Sequence, residues 1–282
     1  MNVYSLDTGL FKLDGGAMFG VVPKSLWNKL NPADANNMCT WALRCLLIED
    51  GNRLVLVDTG IGDKQDAKFR GHFYLHGDDT LTDSLYRLGF GPADVTDVLL
   101  THLHFDHCGG AVRRTGEDRL EPAFPQATYW SNQAHWDWAV QPNAREKASF
   151  LQENILPLQE SGQLRFLDPA AGLADTLPML HELRFVDGHT EQMMLPVLDY
   201  RGRTLVFCAD LIPSAGHLPL PYVMSYDVRP LQTLSEKEQL LARAAAENWV
   251  LVFEHDAQVE ACTVEQTERG VRLAQTLRLT DL

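Results

Sequence analysis

Ten consecutive residues constrain this chain more than any others: Thr101-His102-Leu103-His104-Phe105-Asp106-His107-Cys108-Gly109-Gly110. Imidazole and carboxylate are the donors that borderline divalent metals prefer, and His102, His104, Asp106 and His107 place four of them within six positions. In extended or looping backbone alternate side chains share a face, so His102, His104 and Asp106 can converge while His107 opens the next turn. Gly109-Gly110 permits a tight chain reversal beside them. The run starts where Val95–Leu100, with three consecutive apolar residues at its end, reads as a buried strand. A lone histidine at a strand end is usually an ordinary surface or hydrogen-bonded residue. Four donors in so short a run point instead to a metal.

One such cluster cannot fill two metal shells, so further donors are expected at other strand ends. His189 follows Phe185-Val186-Asp187-Gly188, Asp210 follows Leu205-Val206-Phe207-Cys208-Ala209, and His255 follows Val250-Leu251-Val252-Phe253-Glu254. Each sits just past an apolar run, where a rigid element can aim a ligand from a loop.

The remaining pattern alternates strands and helices in two rounds. Trp41–Ile48 and Arg53–Val57 flank Asp50-Gly51-Asn52 as a hairpin, and a helix is predicted over Leu81–Leu88 after Thr80. A strand is predicted at Ala127–Trp130, followed by helices at Asn132–Val140 and Arg145–Leu158. Strands follow at Leu183–Val186, Met193–Tyr200 and Thr204–Ala209, then a helix over Ser235–Asn248 capped by Ser235 and a strand at Trp249–Phe253. Pro213–Pro230 reads as a rigid loop rather than a linker, so one domain over 1–282 is expected. A net charge of −14 disfavours nucleic acid and anionic membranes as partners. No uninterrupted apolar run is long enough to span a bilayer, and Met1–Gly16 lacks a basic stretch followed by an apolar one. Five widely spread cysteines without a C-x-x-C spacing argue against a disulfide framework and for a reducing, cytoplasmic setting.

With these donors in view, the sequence resembles the metallo-β-lactamase superfamily, whose H-x-H-x-D-H signature stands at His102–His107 with later donors at His189, Asp210 and His255. The resemblance runs from Asp58-Thr59-Gly60 to His255. It implies an α/β (α+β) chain with an αββα sandwich fold. It also implies two divalent metal ions, zinc first, with manganese, iron or cobalt also suited to the donors. One ion would be held by His102, His104 and His189, the other by Asp106, His107 and His255, with Asp210 bridging. Within the superfamily the run looks most like N-acyl homoserine lactone lactonases and methyl parathion hydrolases. Those lactonases carry a tyrosine just after the bridging aspartate. Here Leu211-Ile212-Pro213 follow Asp210, and Tyr222 and Tyr226 stand as substitutes.

The activity implied is hydrolysis of a lactone or ester, with a phosphotriester also accessible, by a metal-bridging hydroxide that Asp106 or Asp210 orients or for which it relays the proton given up by water. The loop His217–Met224 and the segment His72–His76 are apolar and aromatic, and are expected to line a cleft for a small, uncharged, partly hydrophobic substrate. His217 is the extra histidine expected to reach that substrate. A homodimer is left open. Two competing classes are weighed. A mononuclear iron oxidoreductase of the persulfide dioxygenase type would leave His107 and His255 without a duty. A non-catalytic binding protein on the same scaffold has no need of all seven donors.

Overall fold

A computed structural model describes residues 1–116 and 119–282. The chain opens with β1 (Asn2–Asp14), α1 (Gly15–Phe19), α2 (Lys24–Trp27), β2 (Met38–Asp50), β3 (Arg53–Val57), α3 (Ala67–Phe73), α4 (Leu81–Arg87) and β4 (Asp97–Leu99). Next come α5 (Phe105–Cys108), β5 (Val112–Thr115), β6 (Arg119–Pro122), β7 (Thr128–Asn132), α6 (Gln133–Val140), α7 (Gln152–Glu160), β8 (Leu164–Leu167) and β9 (Glu182–Val186). The rest is β10 (Met193–Tyr200), β11 (Arg203–Phe207), α8 (Pro230–Glu247), β12 (Val250–Val252), β13 (Ala261–Thr267) and β14 (Gly270–Leu277). The larger strands form two six-stranded sheets, in the orders β1-β2-β3-β4-β7-β8 and β14-β13-β12-β11-β10-β9. Both are mixed: β3, β4, β7 and β8 run parallel, as do β11 and β12, beside antiparallel neighbours. Helices flank them, as the αββα reading requires. No helix among the described residues is long and apolar enough to cross a membrane.

The chain divides into two compact units, one of residues 1–9, 43–72 and 76–179, the other of residues 10–42, 73–75 and 180–282. In the first, Leu47, Leu56, Val98, Leu100, Tyr129, Trp136 and Ile155 belong to one buried cluster. Parallel central strands are covered on both faces, which is why β3 and β4 read as unbroken apolar runs rather than alternating ones. Asp97 is the exception on β4. Its carboxylate accepts from Arg53 Nε (3.0 Å), Arg53 Nη2 and Trp130 Nε1 (2.8 Å), tying β3, β4 and β7 together where Arg53 also donates to the Thr176 carbonyl. In the second unit, α8 packs against β13 and buries Leu240, Leu241 and Ala244. Leu205-Val206-Phe207 and Val250-Leu251-Val252 are wholly buried.

Two helices differ from the predicted ones for identifiable reasons. Arg145–Leu158 becomes helical only from Gln152, because the Ser149 carbonyl accepts from Phe105 N (2.9 Å) and Asn143 Oδ1 holds the amides of Arg145 and Glu146 in a turn. The backbone groups a helix would use are committed elsewhere. The last helix starts at Pro230 rather than at a Ser235 cap, since proline at the first helical position supplies the right φ and lacks only an amide that has no helical partner. Its predicted C-terminus holds, with Asn248 in the left-handed region at φ 54°. The hairpin turn, the Thr80 cap and the Gly89 stop stand as predicted. The sequence pattern missed β1, α1 to α3, β5, β6, β8, β13 and β14.

Asp97→Ala would leave Arg53 and Trp130 without their shared acceptor. Breaking a fully buried pair costs about 3–5 kcal/mol, and Arg53 keeps some access to water, so the loss is expected at about 2–3 kcal/mol. A urea titration of the variant checks this, as a lowered midpoint with an unchanged slope.

Candidate metal centre

The candidate donors stand at equivalent places along the strands. His102 lies three residues past the end of β4 at Leu99, and His189, Asp210 and His255 lie three past Val186, Phe207 and Val252. In the second sheet β9 and β11 are both antiparallel to β10, so they run the same way, and β12 runs parallel to β11. The ends of all three therefore emerge at one edge, which brings His189, Asp210 and His255 together. His189 Nε2 is 3.1 Å from Asp210 Oδ2, and His255 Nε2 is 3.1 Å from Asp210 Oδ1. Each oxygen of one carboxylate thus faces a different imidazole. The second nitrogens are also held: His189 Nδ1 lies 2.8 Å from Asp227 Oδ1, and His255 Nδ1 lies 2.8 Å from the Ala42 carbonyl.

In the first unit β3 and β4 are parallel neighbours, so Asp58 and Thr101 leave the sheet side by side. Asp58 sits at φ 57°, a conformation aspartate tolerates better than most residues. It accepts from Thr101 N (2.8 Å) and the Thr101 hydroxyl (2.6 Å), and its Oδ2 is 3.1 Å from His107 Nδ1. Because the Thr101 proton goes to Asp58, its oxygen can accept from His102 Nδ1 at 3.1 Å. One carboxylate therefore orients two imidazoles. The rings of His102 and His107 lie 3.9 Å apart, those of His102 and His104 4.6 Å, and His107 Nε2 is 3.9 Å from Asp106 Oδ2. His104 turns its Nε2 toward Glu146 Oε1 at 3.6 Å. All four donors are buried.

Backbone contacts hold this run in place. His135 Nε2 accepts from Leu103 N at 2.8 Å, Thr59 donates to the His107 carbonyl through both amide (2.7 Å) and hydroxyl (2.9 Å), and Lys64 Nζ donates to the Gly109 carbonyl. Gly109 and Gly110 are needed for this close approach rather than for an unusual turn. A Cβ at Gly109 would lie 2.1 Å from the Ile61 carbonyl oxygen, and one at Gly110 2.2 Å from that of Thr59.

The sequence model of the metallo-beta-lactamase superfamily matches residues 44–255. The chain belongs to that superfamily. It is similar to an N-acyl homoserine lactonase of Bacillus thuringiensis, 27% identical over 143 residues, which are 47% of this chain and 50% of that one. That match spans only half of the lactonase's length. A probable metal-dependent hydrolase from Staphylococcus aureus superposes with a TM-score of 0.86 at 27% identity, covering 98% of each chain. AidC, a dizinc quorum-quenching lactonase in complex with a product, superposes with a TM-score of 0.77 at 21% identity over 98% of this chain and 94% of that one, a likeness of fold. This superfamily member therefore has the metallo-β-lactamase fold and buried His/Asp clusters suited to metal.

The substrate-side residues fall less neatly. His217, expected to reach a substrate, is buried and spends both ring nitrogens inside the protein. Its Nε2 donates to the Met18 carbonyl (2.9 Å), so its Nδ1 accepts from the Ser214 hydroxyl (2.7 Å), and Phe19 stacks on the ring at 4.4 Å. Tyr222 is half-buried with its ring edge 6.2 Å from Phe19, while Tyr226, His72, Tyr74 and His76 are exposed. Asp58, Thr101, His135 and Asp227 were not singled out from sequence for any role. Only Asp58, in Asp-Thr-Gly directly after a strand, carried a usable signal.

Two outcomes follow. Partners that orient metal-binding histidines are typically worth about 10–100-fold in metal affinity, so Asp58→Asn is expected to weaken retention of a divalent metal by about that factor. A chelator competition on the folded variant measures it. Burial holds the His217 imidazole down to about 3, so the folded state keeps it neutral where the unfolded chain protonates it. Stability should fall as pH drops from about 6.5 toward 3, and His217→Gln should flatten that slope in denaturant melts.

Proposed function

We propose that this chain is a dinuclear metal-dependent hydrolase that cleaves a lactone or ester. One ion would be held by His102, His104 and His189 and the other by Asp106, His107 and His255, with Asp210 as the shared ligand. The observation that carries this reading is the Asp210 carboxylate, whose two oxygens each face a different histidine Nε2 at 3.1 Å. The donor chemistry fits divalent ions, because imidazole and carboxylate suit zinc, manganese, iron and cobalt. Histidines prepared to bind metal commonly give their second nitrogen to a carboxylate or carbonyl. His107, His189 and His255 do so through Asp58, Asp227 and the Ala42 carbonyl, which supports Nε2 of each as the atom that would face a metal.

Such a metal pair supplies water made acidic enough to attack at neutral pH and polarises the bond attacked. The chain's own groups would prepare the reaction around it. Asp106 or Asp210 is the proposed group to take up or pass on a proton, and the neutral state of His217 excludes it as a cation beside the substrate. Tyr222 and Tyr226, on the loop before α8, are the proposed substrate contacts. A small, partly hydrophobic ester or lactone is favoured by the similarity to N-acyl homoserine lactonases, and zinc by the dizinc centre of AidC.

The test is metal content measured alongside turnover of a lactone, ester and phosphotriester series. Two equivalents of metal and chelator-sensitive lactone or ester hydrolysis are expected. One redox-active iron with oxygen uptake and no hydrolysis would sink the reading, as would metal without turnover of any substrate. Asp210→Asn should reduce bound metal and lower kcat/KM by about 100-fold or more. Unchanged metal content and rate would count against Asp210 as the shared ligand.

A further inference from the structure

Lys237 lies within α8 and is wholly inaccessible to solvent, a rare place for an ammonium. Its Nζ donates to the carbonyls of Pro219 (2.8 Å), Leu220 (3.3 Å) and Tyr222 (2.9 Å). An ammonium has three N–H donors, and here three carbonyls from one short stretch of loop receive them. The loop leads from Asp210 to Asp227 without strand pairing; its backbone bonds are short turns such as His217 N to Ser214 O (2.9 Å) and Tyr222 N to Pro219 O (2.9 Å), and Ser225 N reaches Ala17 O (2.8 Å). We propose that Lys237 is a positioning residue that clamps the Pro219–Tyr222 segment only while it carries its proton, so that the loop loosens in alkaline solution.

The donor count carries the argument. A neutral amine keeps two N–H groups and turns a lone pair toward the carbonyls, so it cannot serve all three and repels the one it drops. Burial brings the ammonium down to about 7, with Asp227 opposing the fall. Two titratable groups on the loop side act on Lys237 among the described residues: Asp227, which favours the charged form, and His217 on the turn Ala215–His217. Held down to about 3, His217 stays neutral over the range that matters. The sign for stability is opposite to the sign for the loop. Between about 7 and 10.5 the unfolded chain binds the proton more tightly, so global stability rises with pH while the clamp is released. A clamp of this kind would set how firmly Tyr222 meets a substrate, a consequence that rests on the proposed function. The clamp itself does not.

Hydrogen exchange on the full chain tests it without substrate, at pH 6 and pH 9 and corrected for the intrinsic rates. Protection of the Tyr222 and Ser225 amides is expected to fall about tenfold from pH 6 to pH 9, while α8 and β12 stay protected. Lys237→Met should show low protection of those two amides at both pH values. Lys237→Arg, charged throughout, should remove the pH dependence and serves if the methionine variant does not fold. Equal wild-type protection at the two pH values would overturn the proposal, as would a Lys237→Met or Lys237→Arg variant that keeps the wild-type fall. Assays with the lactone and ester series separate the two claims: loss of loop protection without hydrolysis of any of them would uphold the clamp and refute the proposed activity.

Discussion

The Asp58 carboxylate is the interaction on which the ligand-bearing run depends. A buried carboxylate is costly unless its oxygens are filled with donors. Thr101 N, the Thr101 hydroxyl and His107 Nδ1 fill them here. In return the carboxylate fixes the backbone at the exit of β4, the tautomer of His107 and, through the Thr101 oxygen, the orientation of His102. Asp58 can do this only because β3 and β4 are parallel and adjacent, with Val57 opposite Leu99. The tightly packed loop from Thr59 to Lys64 then secures the other end of the run at His107 and Gly109.

The second donor set uses the same architecture with different supports. Parallel β11 and β12, paired Phe207 to Val252, carry Asp210 and His255 out at matching heights. Hydrogen bonds to a carboxylate and to a backbone carbonyl orient His189 and His255. Rigid strands place the donors and neighbouring groups aim them, which is what a metal site needs if little is to be reorganised on binding. The loop that follows Asp210 is a different kind of structure. Lys237 of α8 donates to three of its carbonyls, and short turns and single bonds such as Ser225 N to Ala17 O, rather than a ladder, hold the rest.

Candidate donors were legible in the sequence because chemistry and position coincide there: seven His and Asp residues stand at or just past apolar runs. Central strands were legible because burial on both faces leaves unbroken apolar stretches. β14 was not, since Arg272-Leu273-Ala274-Gln275-Thr276 is exposed and pairing with β13 rather than burial makes it a strand. The N-terminus of α8 was misread because Ser235 looks like a cap, whereas Pro230 begins the helix and leaves Ser235 inside it.

By itself, then, the sequence marked the candidate donors, the central strands that carry them and the superfamily, because each depends on residue type and local order. Only the tertiary structure decided which nitrogen of each histidine is engaged, why Gly109 and Gly110 must lack side chains, and that His217 is an internal, neutral support. Those properties arise from groups distant in sequence: Asp58 against His107, Asp227 against His189, Met18 against His217. No local pattern marks such pairs, because the partners meet only when the sheets and loops are assembled.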